Sequence, residues 1–126
     1  MAFRIYQTAD GHMPPWEYLP LDFDVTPHAG LALIMVNGIL TTAEDTDTPQ
    51  FICMQEGKKK EFIPVIRVTD DIVFETRNTA DFESIFIGDK VTLKNGLFVT
   101  ATTEDGVATV IDFDAPAKDS RVRVKF

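Results

Sequence analysis

The chain has 126 residues, of which 44% are hydrophobic and 25% are charged, and acidic side chains outnumber basic ones by 20 to 12. This composition excludes a disordered chain and a collagen-like repeat, and the length is that of one domain. The net charge of −8 opposes nucleic-acid binding, because affinity for a phosphate backbone comes largely from Lys and Arg. No window approaches the ~18 apolar residues of a membrane span, and the N terminus lacks the apolar run of a signal peptide. We therefore expect a protein made in the cytoplasm that binds neither nucleic acid nor membranes.

Residues 1–29 differ in composition from the rest of the chain. They hold four of the seven prolines, the only tryptophan and both tyrosines. Proline fixes φ and removes a backbone donor, so this segment cannot form a long helix or a central strand. We predict an extended arm whose apolar side chains contact a partner, namely Phe3, Tyr6, Trp16, Tyr18, Leu19, Leu21 and Phe23. An ordinary leading strand followed by a long surface loop fits the same composition equally well.

From Gly30 onward the sequence has short apolar runs separated by turns. The run 31–36 ends at Asn37-Gly38 and is followed by the run 39–42, which predicts a β-hairpin. Pro64 lies inside a later run and indicates an edge position or a bulge. The stretch 81–87 allows one or two helical turns. Further strands are predicted at 51–55, 62–69, 72–76, 90–94, 107–113 and 121–126.

A second hairpin is predicted around Asn95-Gly96. With a three-residue loop over 94–96, Leu93 faces Leu97 and Val91 faces Val99, which collects four aliphatic side chains on one face. We predict this register because the buried face of a sheet sets the register of its strands.

The last run alternates strictly between apolar and basic side chains. The basic members are Arg121, Arg123 and Lys125. We predict an edge strand whose basic face contacts an acidic face of the same chain or of a partner. Strands spaced about ten residues apart indicate a mainly β protein. The prediction is therefore a small antiparallel β-barrel or sandwich over 30–126, preceded by the proline-rich arm over 1–29.

Few residues in the chain are candidates for catalysis, metal binding or cofactor binding. His12 and His28 have no second ligand at metal spacing, and Cys53 stands among apolar neighbours, which is typical of a buried small hydrophobe. No glycine-rich phosphate loop occurs. We therefore predict no catalytic residue, no metal and no cofactor. The acidic loop 44–47 is the most plausible weak cation site, and a small hydrolase based on the aspartate pairs is a further alternative.

Residues 30–126 begin with Gly30 before an apolar strand, followed by the Asn37-Gly38 hairpin, a polar loop and the 62–68 strand. Then come Gly88-Asp89-Lys90-Val91 at the start of a late hairpin, Gly106 before the run 107–110, and a basic last strand. In strand order and length this segment resembles the small head decoration, or capsid cement, proteins of tailed bacteriophages.

The resemblance implies a structural, non-enzymatic virion protein. Such a protein binds the outer surface of the expanded capsid, bridges neighbouring subunits of the major capsid protein and is often a homotrimer there. Residues 1–29 would then be a clamping arm. A receptor- or glycan-binding β-module of a phage tail or fibre is the alternative, because Trp16 and Tyr18 could form its aromatic contact surface.

Overall fold

A computed structural model of the chain describes residues 2–126, which form twelve β-strands and no helix. None of the described residues therefore belongs to a helix that could cross a membrane. The strands are Arg4–Thr8 (β1), Glu17–Pro20 (β2), Ala32–Val36 (β3), Ile39–Thr42 (β4), Phe51–Cys53 (β5), Phe62–Arg67 (β6), Ile72–Arg77 (β7), Lys90–Val91 (β8), Leu93–Lys94 (β9), Phe98–Val99 (β10), Ala108–Phe113 (β11) and Arg121–Lys125 (β12).

The strands form three antiparallel sheets. The first sheet has the order β1-β7-β12-β11-β8, the second has the order β2-β6-β5-β3-β4, and β9 pairs with β10. Within residues 2–126 none of these sheets closes into a barrel, although Leu21 and Leu40 form an isolated bridge between the two edges of the second sheet. The prediction of a mainly β, antiparallel fold is confirmed.

Two apolar clusters form the core. One lies between the two large sheets and contains Phe74 and Val122 from the first sheet with Ile52 and Ile66 from the second. The other lies on the opposite face of the second sheet. Because both faces of this sheet are buried at its centre, the central strand β5 is apolar at every position and does not alternate.

The hairpin at Asn37-Gly38 is confirmed. Val36 pairs with Ile39, and both turn residues have positive φ, 52° at Asn37 and 82° at Gly38. These angles are typical of the type I′ turn, whose twist matches that of the flanking strands.

The predicted register of the second hairpin is wrong. Leu93 faces Val99, not Leu97, and the loop comprises residues 95–97. The reason is a contact with the second sheet, because the Ala32 N–H donates to the Gly96 carbonyl at 2.7 Å. The stretch 81–87 contains turns and no helix.

The extended arm predicted for residues 1–29 is not shown as a separate element, and Met1 lies outside the described residues. Strand β1 pairs with β7 at an edge of the first sheet, and β2 pairs with β6 at an edge of the second. Phe3 is buried in the core between the sheets, and Leu21 in the other core. The interpretation as a leading strand followed by a loop is closer, because the prolines fall in the irregular stretches and at the end of β2.

Pro64 does not occupy an edge strand, because β6 lies between β2 and β5 without a bulge. The Pro64 carbonyl accepts a hydrogen bond from the Met54 N–H at 2.9 Å. The nitrogen of Pro64, which cannot donate a hydrogen bond, therefore points towards Met54, just beyond the end of β5. No hydrogen bond between β5 and β6 is lost within their paired residues.

The last strand is also not an edge strand, because β12 lies between β7 and β11. Its apolar face is as predicted, with Val122 and Val124 fully buried. The charge of Arg123, in the middle of its basic face, is neutralised by nearby carboxylates, including one on each neighbouring strand, described below, so this charge does not exclude β12 from the middle of the sheet.

Candidate partner-binding surface

Exposed aromatic side chains lie along the open edge of the second sheet. In β2, Tyr18 is opposite Pro64 and Pro20 is opposite Phe62, so these four side chains share one face. Trp16 directly precedes the strand. The exposed fractions are 50% for Trp16, 63% for Tyr18 and 51% for Phe62. We call Trp16, Tyr18 and Phe62, with the prolines between them, the aromatic strip.

The aromatic strip is held in place by the core behind it. Leu19 and Ile63 alternate with the strip residues, face the other side of the sheet and pack in the second cluster. The strands that carry the strip cannot shift register without exposing these side chains, because a one-residue slip exchanges the two faces. The strip is thus a preformed surface.

The backbone of β2 offers a partner little hydrogen bonding. Since the Pro64 carbonyl faces β5, the Tyr18–Pro64 pair is not hydrogen-bonded, and the amide and carbonyl of Tyr18 point to the open edge. Two residues later Pro20 has no donor, and proline at an edge discourages pairing with a further strand. A partner at this edge must therefore rely on the aromatic side chains.

The seven predicted contact residues separate into three environments. Trp16 and Tyr18 lie together in the aromatic strip. Tyr6 lies on the first sheet, with the Arg123 guanidinium 4.9 Å from its ring centroid. The other four are Phe3 and Leu21, which are buried, Leu19, which is partly buried, and Phe23, which is 84% exposed.

Sequence reasoning missed Phe62 as a surface residue, and it also missed Phe86 and Ile87, which are both exposed beside the turn before β8. Phe62 begins a predicted strand, and only its pairing with Pro20 places it beside Tyr18. For Phe86 and Ile87 the available signal was two adjacent apolar residues directly before Gly88-Asp89, where alternation is absent.

The basic residues of β12 lie on the outer face of the first sheet, apart from the aromatic strip. Arg123 donates to Glu75 at 2.9 Å, to Asp112 at 3.1 Å and to Asp114 at 2.6 Å. Arg4 of β1 also donates to Glu75, whose side chain is only 1% exposed. The predicted meeting with an acidic face of the same chain is therefore observed for Arg123.

This ion network shifts the pKa of Glu75 and the pKa of Arg123. Burial raises the pKa of Glu75, but the hydrogen bonds from Arg4 and Arg123 outweigh it and hold that pKa below its usual value. Burial lowers the pKa of Arg123, and the bonds to Asp114 and Asp112 raise it further than burial lowers it. Arg123 is thus satisfied within the chain. Arg121, opposite Arg77, is exposed, and Lys125 is half-buried, and their contact with a partner stays a prediction.

Cys53 is fully buried, as predicted, and lines a cavity of about 400 Å³ together with apolar side chains such as Phe3, Met13 and Ile66. Burial raises the pKa of its thiol, although hydrogen bonds oppose this shift. The thiol form therefore predominates at neutral pH, and Cys53 has the character of a core residue, not of a nucleophile.

His28 and the acidic loop 44–47 form local contacts that stabilise the surrounding turns. His28 Nδ1 lies 3.1 Å from the carboxylate of Glu56, which also accepts the Ala29 N–H. In the loop 44–47, the carboxylate of Asp47 accepts the Glu44 N–H at 2.9 Å. Within residues 2–126 no group of three or more His, Cys, Asp or Glu side chains is arranged to hold a metal ion.

Comparisons with protein-family models, with curated proteins and with solved structures find no match to this chain. The aromatic strip presents exposed aromatic side chains at one edge of the second sheet. Its geometry suits contact with an apolar surface of another macromolecule, because half-exposed aromatic side chains on a rigid strand lose little conformational entropy on binding.

Proposed function

We propose that this chain is a structural protein that decorates the outer surface of a tailed-bacteriophage head. It binds the major capsid protein, bridges neighbouring capsid subunits and so stabilises the assembled shell. It acts as an oligomer, a homotrimer on the capsid, is made in the host cytoplasm and has no enzymatic activity. The observation that carries this proposal is the preformed aromatic strip at the edge of a rigid all-β body.

The physical requirements of a cement protein agree with this surface. Trp and Tyr are enriched among the residues that dominate binding energy, because they bury a large area with few rotatable bonds. Several copies that contact each other and the shell convert later contacts into intramolecular ones, so that modest individual contacts add up to tight overall binding. A rigid body transmits such contacts between neighbouring subunits.

Sedimentation with particles tests the proposal. Particles of the encoding virus that lack this chain are mixed with the purified chain, banded on a density gradient and analysed for stoichiometry against the major capsid protein. We expect about one copy per major capsid subunit. Failure to bind mature particles at any salt concentration, or only a few copies per particle, would refute decoration.

Variants of the aromatic strip locate the contact. Tyr18→Ala is expected to weaken particle binding by roughly thirtyfold or more, since residues at the centre of an interface cost about 2 kcal/mol or more when truncated. The matched control is Phe86→Ala, which removes an exposed aromatic side chain outside the strip. Both variants are expected to melt like the natural chain, because both side chains are mostly exposed.

The second candidate is a glycan-binding module of a phage tail or fibre. Trp16 and Tyr18 favour it, because exposed aromatic faces on one edge can stack against sugar rings. Binding of the isolated chain to glycans that is lost in Tyr18→Ala, together with absence of the chain from the head shell, would establish this function instead.

A further inference from the structure

A groove with a basic wall adjoins the end of the aromatic strip. It has a volume of about 430 Å³ and is lined by Leu21, Phe23, Lys59, Lys60 and Glu61. Its two sides are joined by a hydrogen bond from the Leu21 N–H to the Glu61 carbonyl at 3.2 Å. We call this the lysine groove.

The lysine groove lies next to the aromatic strip at the ends of β2 and β6, although Leu21 packs in the second cluster, on the face opposite Tyr18 and Pro20. Leu21 directly follows Pro20, and Glu61 directly precedes Phe62, and these two strip residues are paired across β2 and β6. A partner segment that passes over this edge of the sheet would therefore contact both the strip and the groove.

The lysines of this turn have no carboxylate partner within the described residues. Lys58, Lys59 and Lys60 are all exposed, and every ion pair found in residues 2–126 uses arginine or histidine as its cation. Lys59 Nζ lies 4.7 Å from the centroid of the Phe23 ring, which places its charge beside an exposed apolar face.

Charges around the groove decide what kind of anion fits. Glu61 lines it, and Asp22 and Asp24 flank Phe23, so the positive charge is confined to the lysine side. The net charge of −8 repels a long uniform polyanion such as a nucleic acid. A protein segment with a few carboxylates and an apolar side chain satisfies both the lysines and the Leu21–Phe23 floor.

We propose that the lysine groove binds an extended acidic segment of the protein partner, with an apolar side chain of that segment packed on Phe23. This inference rests on the proposed function for the identity of the partner, which is then the capsid subunit. The recognition itself is defined by charge complementarity and by the position of the groove next to the aromatic strip.

The binding test uses the full chain and a short dye-labelled peptide that alternates aspartate with leucine. Fluorescence anisotropy is measured against the same peptide with asparagine in place of aspartate, and against a single-stranded oligonucleotide. We expect the acidic peptide to bind, and the double variant Lys59→Ser/Lys60→Ser to weaken its binding by about tenfold, as expected for two charge contacts. Lys94→Ser/Lys118→Ser removes the same charge elsewhere on the exposed surface and is expected to change binding by less than about twofold.

Backbone amide chemical shifts locate the peptide, and we expect the changes at Leu21, Phe23 and Glu61. Equal losses in the two double variants, tighter binding of the oligonucleotide, or no peptide binding at millimolar concentration would overturn the inference.

The two proposals fail separately. If Lys59→Ser/Lys60→Ser binds particles normally while Tyr18→Ala does not, the groove inference is wrong and decoration stands. If the peptide binds the groove but the chain never sediments with particles, decoration is wrong and the recognition of acidic segments stands.

Discussion

Replacing Glu75 by Gln removes one negative charge from the ion network on the first sheet while keeping the shape of the side chain. Glu75 accepts hydrogen bonds from Arg4 and Arg123, and its side chain is 1% exposed. The amide of Gln can accept only part of these bonds and places its own donors towards two guanidinium groups. We therefore expect Glu75→Gln to fold but to be less stable.

The size of the stability loss depends on which partners Arg4 and Arg123 retain in Glu75→Gln. Breaking a buried ion pair costs about 3–5 kcal/mol when the remaining charge is left without a partner. Here Arg123 keeps Asp112 and Asp114, and the Arg4 side chain is 54% exposed and regains water. The expected loss is therefore that of charged hydrogen bonds, about 2–3 kcal/mol, or a decrease of roughly 10 °C in melting temperature.

The pH dependence gives a sharper test of the same reasoning. The pKa of Glu75 is lower in the folded chain than its usual value of 4.5. Its stabilising contribution is therefore complete above that usual value and is lost as the pH falls through the lowered pKa. Gln does not titrate, so the difference in stability between the two proteins must shrink on acidification.

Urea unfolding followed by circular dichroism at neutral pH and in strong acid measures this difference. Glu83→Gln is the control, because Glu83 is exposed, and its change is expected to stay within about 0.5 kcal/mol. A difference between Glu75→Gln and the natural chain that is equally large at both pH values would refute the assignment of the stabilisation to the Glu75 charge.

Three further predictions concern the packing of the chain. Gly30 has a φ of +90°, and a Cβ added there would lie 2.3 Å from the Phe3 carbonyl oxygen, so calorimetry of Gly30→Ala should show that the free energy of unfolding falls by roughly 2–5 kcal/mol. The control is Gly11→Ala, where φ is +76° but the space is open, and its expected loss is about 1–2 kcal/mol. The thiol of Cys53 should react with a disulfide reagent only as fast as the protein opens, because it is buried and its pKa is raised, and immediate reaction at neutral pH would contradict this. Deletion of residues 1–29 should abolish cooperative melting, because both sheets lose an edge strand, and a sharp thermal transition would show instead that the segment is an arm.

Local signals predicted much of the fold. The Asn37-Gly38 hairpin follows from two residues that tolerate positive φ between apolar runs, and no distant contact is needed to form it. The buried face of the last strand follows from strict alternation. Where the sequence was read wrongly, a contact between distant segments decided the outcome, as when Ala32 positions the turn at Gly96.

The candidate site shows the same division. The structure shows that Trp16 and Tyr18 are exposed, and their contact with a partner stays a prediction. Both were predicted from composition alone. Phe62 was not, because its place in the aromatic strip depends on the pairing of β2 with β6, which composition does not reveal. The sequence predicts Phe3 as a contact residue, but its ring lies in the core, with its centroid 5.3 Å from that of the Phe126 ring. Aromatic residues serve both surfaces and cores, and only topology distinguishes the two.

The pairing of the first two strands also sets the order in which this protein can fold. Arg4 contacts Glu75 at a sequence separation of 71, and Glu17 contacts Arg67 at a separation of 50. During synthesis β1 and β2 are therefore made before the strands with which they pair, and they remain unpaired until more than half of the chain has been made. Contacts so far apart in sequence make folding slow, in the range of roughly milliseconds to seconds for such β proteins. Throughout that interval the apolar side chains of β1 and β2 are exposed and available for aggregation with other incompletely folded copies. The yield of native protein therefore depends on the local concentration of chains that are being synthesised.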